Sequence, residues 1–238
     1  MDVGGSYTAP VAAPVLANAL AANERVRTDP SNVTIADRAL VTQALQVFAP
    51  AANGTAQYLA VRVGLPQRSE LAFALLSLRG LRVGVRHAFW QDPDAKWTWT
   101  LGGNVRGGYD FASYGVALPG ATLREAMIAG GEVTTQIGRT SSDIYDFWIG
   151  ARAGYLYGAA TVAHPAFSAS SMGLLRGNLH RAELGATLGL RVGFGRIAAL
   201  AELEVLTTLF WASSESNDTR AQGVMLSLIP AGAIAIGF

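Results

Sequence analysis

The sequence predicts an all-β chain that closes into a transmembrane antiparallel up-and-down β-barrel of about ten strands, preceded by a partly helical or irregular N-terminal segment. Three observations predict it. Charged residues are 15% of the 238, against roughly 25% in a soluble domain, while hydrophobic residues are 50%. No segment reaches the ~20 mostly apolar residues of a spanning helix. Apolar and polar residues alternate with period two through one long segment after another, as in a strand with two unlike faces.

The composition also excludes several functions. Zero cysteines exclude disulfide scaffolds, thiol nucleophiles, Cys-ligated zinc and iron–sulfur clusters. A net charge of +1 supplies no excess positive charge to attract nucleic acid. The uncharged stretch 154–175 contains His164, Pro165 and three serines, and the stretch 224–238 is short and carries Pro230 and Gly232, so neither is a spanning helix. Closure into a barrel is the remaining way to satisfy every backbone group in lipid.

Taken in order, residues 1–54 form an N-terminal segment and residues 55–238 the barrel. Met1 is followed by Asp2, and prolines interrupt the apolar stretch 9–22, so the expected form is a mature chain with an initiator Met rather than a signal peptide. The windows 17–26 and 35–48 read as helices. The alternative makes 40–48 a strand and adds another near 6–15, giving twelve, although Pro10 and Pro14 count against the latter.

From there the strands follow by alternation: 58–65, 81–89, 97–109, 127–137, 145–157, 182–194 and 199–211. In 182–194, Ala182, Leu184, Ala186, Leu188, Leu190, Val192 and Phe194 stand opposite Glu183, Gly185, Thr187, Gly189, Arg191 and Gly193. With the Leu, Val and aromatic face set outward in each segment, every charge falls on the other face. Outward aromatics sit near strand ends: Tyr145 and Phe147 against Tyr155 and Tyr157, Trp97 and Trp99 against Tyr109, with Trp211 ending its own strand. Ten residues at ~3.3 Å rise, tilted ~40°, span roughly 25 Å, the height between two membrane girdles. This spacing and the strand lengths disfavour a soluble sandwich. The same aromatics could stack sugars, but a membrane girdle is the simpler reading.

Short connections at Arg79-Gly80, Tyr109-Asp110, 138–143 and Gly195-Arg196 alternate with longer ones at 91–96, 119–123, 158–178 and 212–220. Short turns lie on the periplasmic side of such barrels. Counted back from the C-terminus, ten strands begin near Thr55 and both termini fall on the short-turn side.

The chain ends Ile234-Ala235-Ile236-Gly237-Phe238. In this it resembles bacterial outer-membrane proteins, whose last strand commonly ends in Phe. The resemblance implies residence in the bacterial outer membrane, outer-membrane lipid as surroundings, and Phe238 as the signal read by the barrel-assembly machinery. A helix inside a twelve-stranded barrel would be similar to an autotransporter translocator domain.

The lumen-phase charges are Arg62, Arg82, Arg86, Arg106, Arg152 and Arg191 with Glu132, Asp146, Glu183, Glu202 and Glu204. One reading is a charged constriction that selects solutes. The other is a salt-bridged filling of a narrow barrel, favoured by the near balance of sign. Arg82, Arg106 and Arg191 stand close to their short turns and, if convergent, would form a cationic ring preferring anions.

Other candidates are weaker. Gly193–Ala198 matches the dinucleotide fingerprint but needs a helix after its turn, and 197–210 fits period two better. His87 faces outward without a serine nearby in sequence, His164 shares a long loop with Ser168, and His180 reads as a rim residue. Glu202 and Glu204 share one face, as glycoside chemistry requires, but lumen carboxylates more often face arginines. No catalytic residue, metal site or cofactor is assigned. The expected function is a small pore or solute channel. The alternative is a structural or assembly protein with a closed lumen, binding a partner through its outer loops or N-terminal segment. An outer-membrane lipid hydrolase is the third reading.

Overall fold

The computed structural model describes residues 1–12, 14–29, 32–48, 54–76, 80–92, 96–110, 114–115, 119–141, 144–164, 174–194, 196–214 and 220–237. The elements are β1 (Asp2–Ala12), α1 (Pro14–Thr28), α2 (Ile35–Phe48), β2 (Gly54–Leu65), β3 (Ser69–Leu76), β4 (Gly80–Asp92), β5 (Trp97–Asp110), β6 (Tyr114–Gly115), β7 (Thr122–Thr140), β8 (Tyr145–Ala163), β9 (Leu174–Phe194), β10 (Ile197–Ser214) and β11 (Arg220–Ile236). Ten strands pair antiparallel in a ring, β1-β2-β3-β4-β5-β7-β8-β9-β10-β11 and back to β1. The two-residue β6 lies outside this ring, paired to the start of β7.

The ring has the ten strands expected but not the same ten. A short turn at Tyr109-Asp110 implied a strand over 111–118, where the described residues form only β6. The tenth strand is β1, which Pro10 and Pro14 had argued against. Pro14 instead opens α1, where a first helical turn needs no N–H. At Pro10 the register with β11 shifts before Ala12. Pro230 likewise sits where pairing with β1 lapses, between Ser6↔Ala231 and Ala9↔Leu228, while it stays opposite Leu203 on the β10 side.

Because each antiparallel strand exchanges ends, one strand too many inverts the side assigned to everything before it. The connections 66–68, 93–96, 141–144 and 195–196 share one end with both termini, and all are short. Those at 77–79, 111–121, 164–173 and 215–219 share the other end with the helices. The turn at Arg79-Gly80 and the connection at 91–96 therefore exchange the sides expected of them.

Which face is outside is settled by exposure. Val105, Leu184 and Phe194 are 64%, 65% and 71% exposed, whereas Glu183 and Glu204 on the opposite faces are buried. Apolar outside and charged inside is the arrangement of a wall standing in lipid.

The windows 17–26 and 35–48 are helical as expected. Ala19, Ala22 and Val26 share one face of α1, at i, i+3 and i+7. Val41, Ala44 and Leu45 share one face of α2. These residues form a buried cluster with Leu123, Val162, Leu175, Leu179, Phe210 and Met225 from the tall β7–β11 wall. The helix pair thus fills the end of the barrel opposite the termini, on that wall's side. Thr34 and Asp37 cap α2 reciprocally: Asp37 N–H donates to Thr34 Oγ1 at 3.1 Å and Thr34 N–H to Asp37 Oδ2 at 3.2 Å. Arg25 Nε donates to Asp37 Oδ1 at 2.9 Å, tying α1 to α2. Buried Asn23 donates to Pro119 O at 2.9 Å and meets His164 Nε2 at 2.8 Å through its Oδ1, so α1 is held by two connecting segments.

Hydrogen bonds from Arg25 and Thr34 hold the Asp37 carboxyl at about 2, below its ordinary 3.8. A carboxyl lowered by folding contributes stability above its unfolded pKa and loses it as pH falls through the folded value. The helical circular-dichroism signal is therefore expected to weaken between pH ~4 and ~2, and an Asp37→Asn variant to lack that transition. Thr34→Ala should lower helix-pair stability by about 1 kcal/mol in denaturant titrations.

Candidate functional site

Inward positions continue one parity along each strand, so side chains two residues apart line the lumen together. Every lumen residue expected from the sequence lines the resulting cavity, whose volume is about 970 Å³. It is lined along β5 from Thr98 to Gly108 and along β7 from Ala126 to Thr140, and so runs the length of this wall.

Arg152 is the hub of the lumen. Its guanidinium contacts Glu132 at 2.9 Å on β7, Glu183 at 3.6 Å on β9, and Glu204 on β10. To reach Glu204 the pair passes over Gly185, where a Cβ would meet the Arg152 Cγ at 3.3 Å. Arg106 reaches Glu183 at 3.2 Å, a chord from β5 to β9 across two intervening strands. Arg181 adds a third cation to Glu183 at 3.1 Å. Asn104 donates to Glu132 at 2.8 Å. Near the termini Arg191 pairs with Asp146 at 2.6 Å, and Trp148 Nε1 donates to Glu202 at 3.2 Å. The indole of Trp148 lies across Gly189, where a Cβ would stand 2.0 Å from its Cε2 and 2.1 Å from its Cζ2.

On the other wall Arg62 pairs with Asp2 at 2.7 Å and Glu70 at 3.6 Å. The cationic ring of Arg82, Arg106 and Arg191 does not form. Arg82 and Arg106 lie toward the helix end and Arg191 beside the opposite turn, a consequence of the inverted strand phase. The charges segregate by wall instead. Strands β1–β5 carry Arg62, Arg82, Arg86 and Arg106 against Asp2 and Glu70. Strands β7–β10 carry Glu132, Asp146, Glu183, Glu202 and Glu204 against Arg152, Arg181 and Arg191, with Arg139 at the rim over Trp97. The lumen is balanced overall and polarised across its width.

Asp2, Glu70, Arg181, Asn104 and Trp148 complete the constellation but were not among the expected charges. Arg181 and Glu70 keep the parity of Glu183 and Ala72, which extending each alternation by one pleat would have found. Asp2 required the N-terminal strand.

Outside the lumen, Trp97, Trp99, Tyr145 and Phe147 stand toward the end with the termini, with Trp97 against Phe147 at 5.7 Å and Phe89 against Trp99 at 4.4 Å. Tyr109, Tyr155, Tyr157 and Trp211 stand toward the other end. His180 lies among these, with Nδ1 2.6 Å from Tyr155 Oη. The strand register places Ser69 opposite His87, Oγ to Nδ1 3.0 Å, a pairing that sequence spacing does not show. Among the described residues no carboxylate or amide orients that imidazole, as a hydrolytic triad requires. His164 is buried, and burial holds its imidazole below the usual 6.5. Its role is the contact with Asn23, and Ser168 lies outside the described residues, as does Phe238. Gly193 to Ala198 joins β9 to β10 with no helix following, so the dinucleotide reading fails.

No family model matches the chain, and no curated protein matches it. Among solved structures it is similar to the NanC porin, at 10% identity over 100% of this chain and 99% of that one, TM-score 0.35. It is also similar to Ail, the attachment invasion locus protein of Yersinia pestis, in complex with the heparin analogue sucrose octasulfate. That match has 15% identity over 75% of this chain and 92% of that one, TM-score 0.32. Outer membrane phospholipase A from Escherichia coli matches at 12% identity over 98% and 89%, TM-score 0.19.

Arg152→Ala leaves three carboxylates without their shared cation and is expected to cost about 3–5 kcal/mol in detergent unfolding. Gly189→Ala must displace Trp148 and should cost about 1–3 kcal/mol with a change in tryptophan fluorescence. Gly64→Ala, where a Cβ meets nothing within 4 Å, is the control expected to change neither.

Proposed function

We propose that this chain is a bacterial outer-membrane β-barrel that conducts small polar solutes through its charged lumen. The observation that carries the reading is the cavity lined from Thr98 to Gly108 on β5, faced by arginines on one side and carboxylates on the other. A filled structural core would close around its ion pairs. Here most of the pairs fall on the β7–β10 wall, and the β2–β5 wall sets its arginines among small residues such as Ala72, Ala74 and Gly102. Opposed charges across a low-dielectric passage give a transverse field that orients dipolar solutes.

A second reading is a closed barrel serving a structural role and binding a partner through the helix-end connections. The helix pair packed inside that end and the Arg106–Glu183 chord favour it.

The two separate in a planar bilayer. Purified, detergent-folded protein is expected to give discrete conductance steps, enlarged by deletion of residues 14–48. No conductance from protein shown by protease protection to be inserted would select the closed reading.

A further inference from the structure

The lumen arginines are not equivalent. Arg62, Arg106, Arg152, Arg181 and Arg191 each have a carboxylate oxygen within 4 Å. Arg82 and Arg86 have no such partner among the described residues, nor a side-chain hydrogen bond to any of them. Both are half-buried and both line the cavity.

Their surroundings sharpen the difference. Arg82 stands directly opposite Arg106 in the β4–β5 ladder, and like charges directly opposed repel. Arg86 stands opposite Glu70, but Glu70 is engaged by Arg62. Between the two arginines the inward residue of β4 is Gly84, flanked by Ala72 on β3 and Asn104 on β5. Beside Arg86 on β5 stands Gly102. The floor between the guanidiniums is therefore glycine backbone at Gly84 and Gly102, with the side chains of Asn104 and Thr134 close beside it. The two Cα positions, four residues apart, are separated by ~13 Å, which two long side chains leaning inward can bridge through one small ligand.

Two half-buried guanidiniums with no ion-pair partner among the described residues call for an anion or retained water between them. We propose that Arg82, Gly84 and Arg86 form an anion station in the lumen, taking solutes that carry a phosphate or carboxylate group. Each planar guanidinium offers paired donors to two oxygens of such a group. The station rests on the pore reading for the passage of its ligand, not for binding. The acidic wall opposite favours a solute with a cationic or hydroxylated remainder.

Inorganic phosphate is the probe, titrated calorimetrically into the detergent-folded full chain, with bilayer reversal potentials measured in parallel. The wild-type chain is expected to bind phosphate and to prefer anions. Arg82→Gln and Arg86→Gln should each weaken binding several-fold, and the double variant should bind at least tenfold more weakly with its anion preference lost. Arg86→Lys, which keeps the charge but not the fork, should bind less well than wild type. Arg196→Gln, in a turn outside the lumen, should bind as wild type. Conductance without phosphate binding, or binding unchanged in the single variants, overturns the station and leaves the pore reading intact. Phosphate binding that these substitutions weaken, in a protein that does not conduct, upholds the station and overturns the pore.

Discussion

Everything in this molecule depends on one seam. A wall standing in lipid cannot leave backbone N–H and C=O groups unpaired, and only a closed ring leaves no edge. Here closure falls to β1, which pairs with β2 on one side and β11 on the other. The N-terminal amine donates to Ile236 O at 2.7 Å, so even the first residue is committed to the joint. The strands tolerate prolines only where that joint relaxes, at Pro10 and beside Pro230.

Beyond the end that the helix pair fills, closure encloses a space that apolar residues do not fill, since their face is spent on the outside. The inside must then be polar and still hold shape. Arg152 and its three carboxylates do this on the tall wall, and Arg106 carries a brace across the lumen to Glu183. Small residues supply the room. Gly185 lets an ion pair cross a strand, and Gly189 lets an indole lie flat against the wall. The glycine richness of the chain is in part the counterpart of its long lumen side chains, set opposite them in the ladder.

Much of this was legible because the faces are so unlike. The alternation of Leu184, Leu188 and Leu190 against Glu183, Gly185 and Arg191 fixes strand and face at once. What stayed hidden was of two kinds. One is phase: Asp2, Gly4, Ser6 and Thr8 do alternate with Val3, Gly5 and Tyr7, but the glycines and Pro10 blunt the pattern, and the strand implied over 111–118 moved Arg82 to the wrong end. The other is register. Nothing in the spacing of Ser69 and His87, or of Arg106 and Glu183, states that each pair meets, because partners across strands are chosen by hydrogen-bond ladders and barrel tilt.

The seam also shapes how the molecule can form. Nine of the ten joints link strands that follow one another among the ring strands, and eight of these are bridged by short or moderate connections. The joint between β1 and β11 brings together residues 235 positions apart. Loop-closure entropy must be met there before any contact repays it. A sheet of hairpins can assemble progressively from β2 to β11, yet it stays an open ribbon with two raw edges until its earliest-made strand docks against its last. The slow step of folding is thus expected to be a single event of ring completion. The helices between β1 and β2 lengthen the tether on which that first strand must wait.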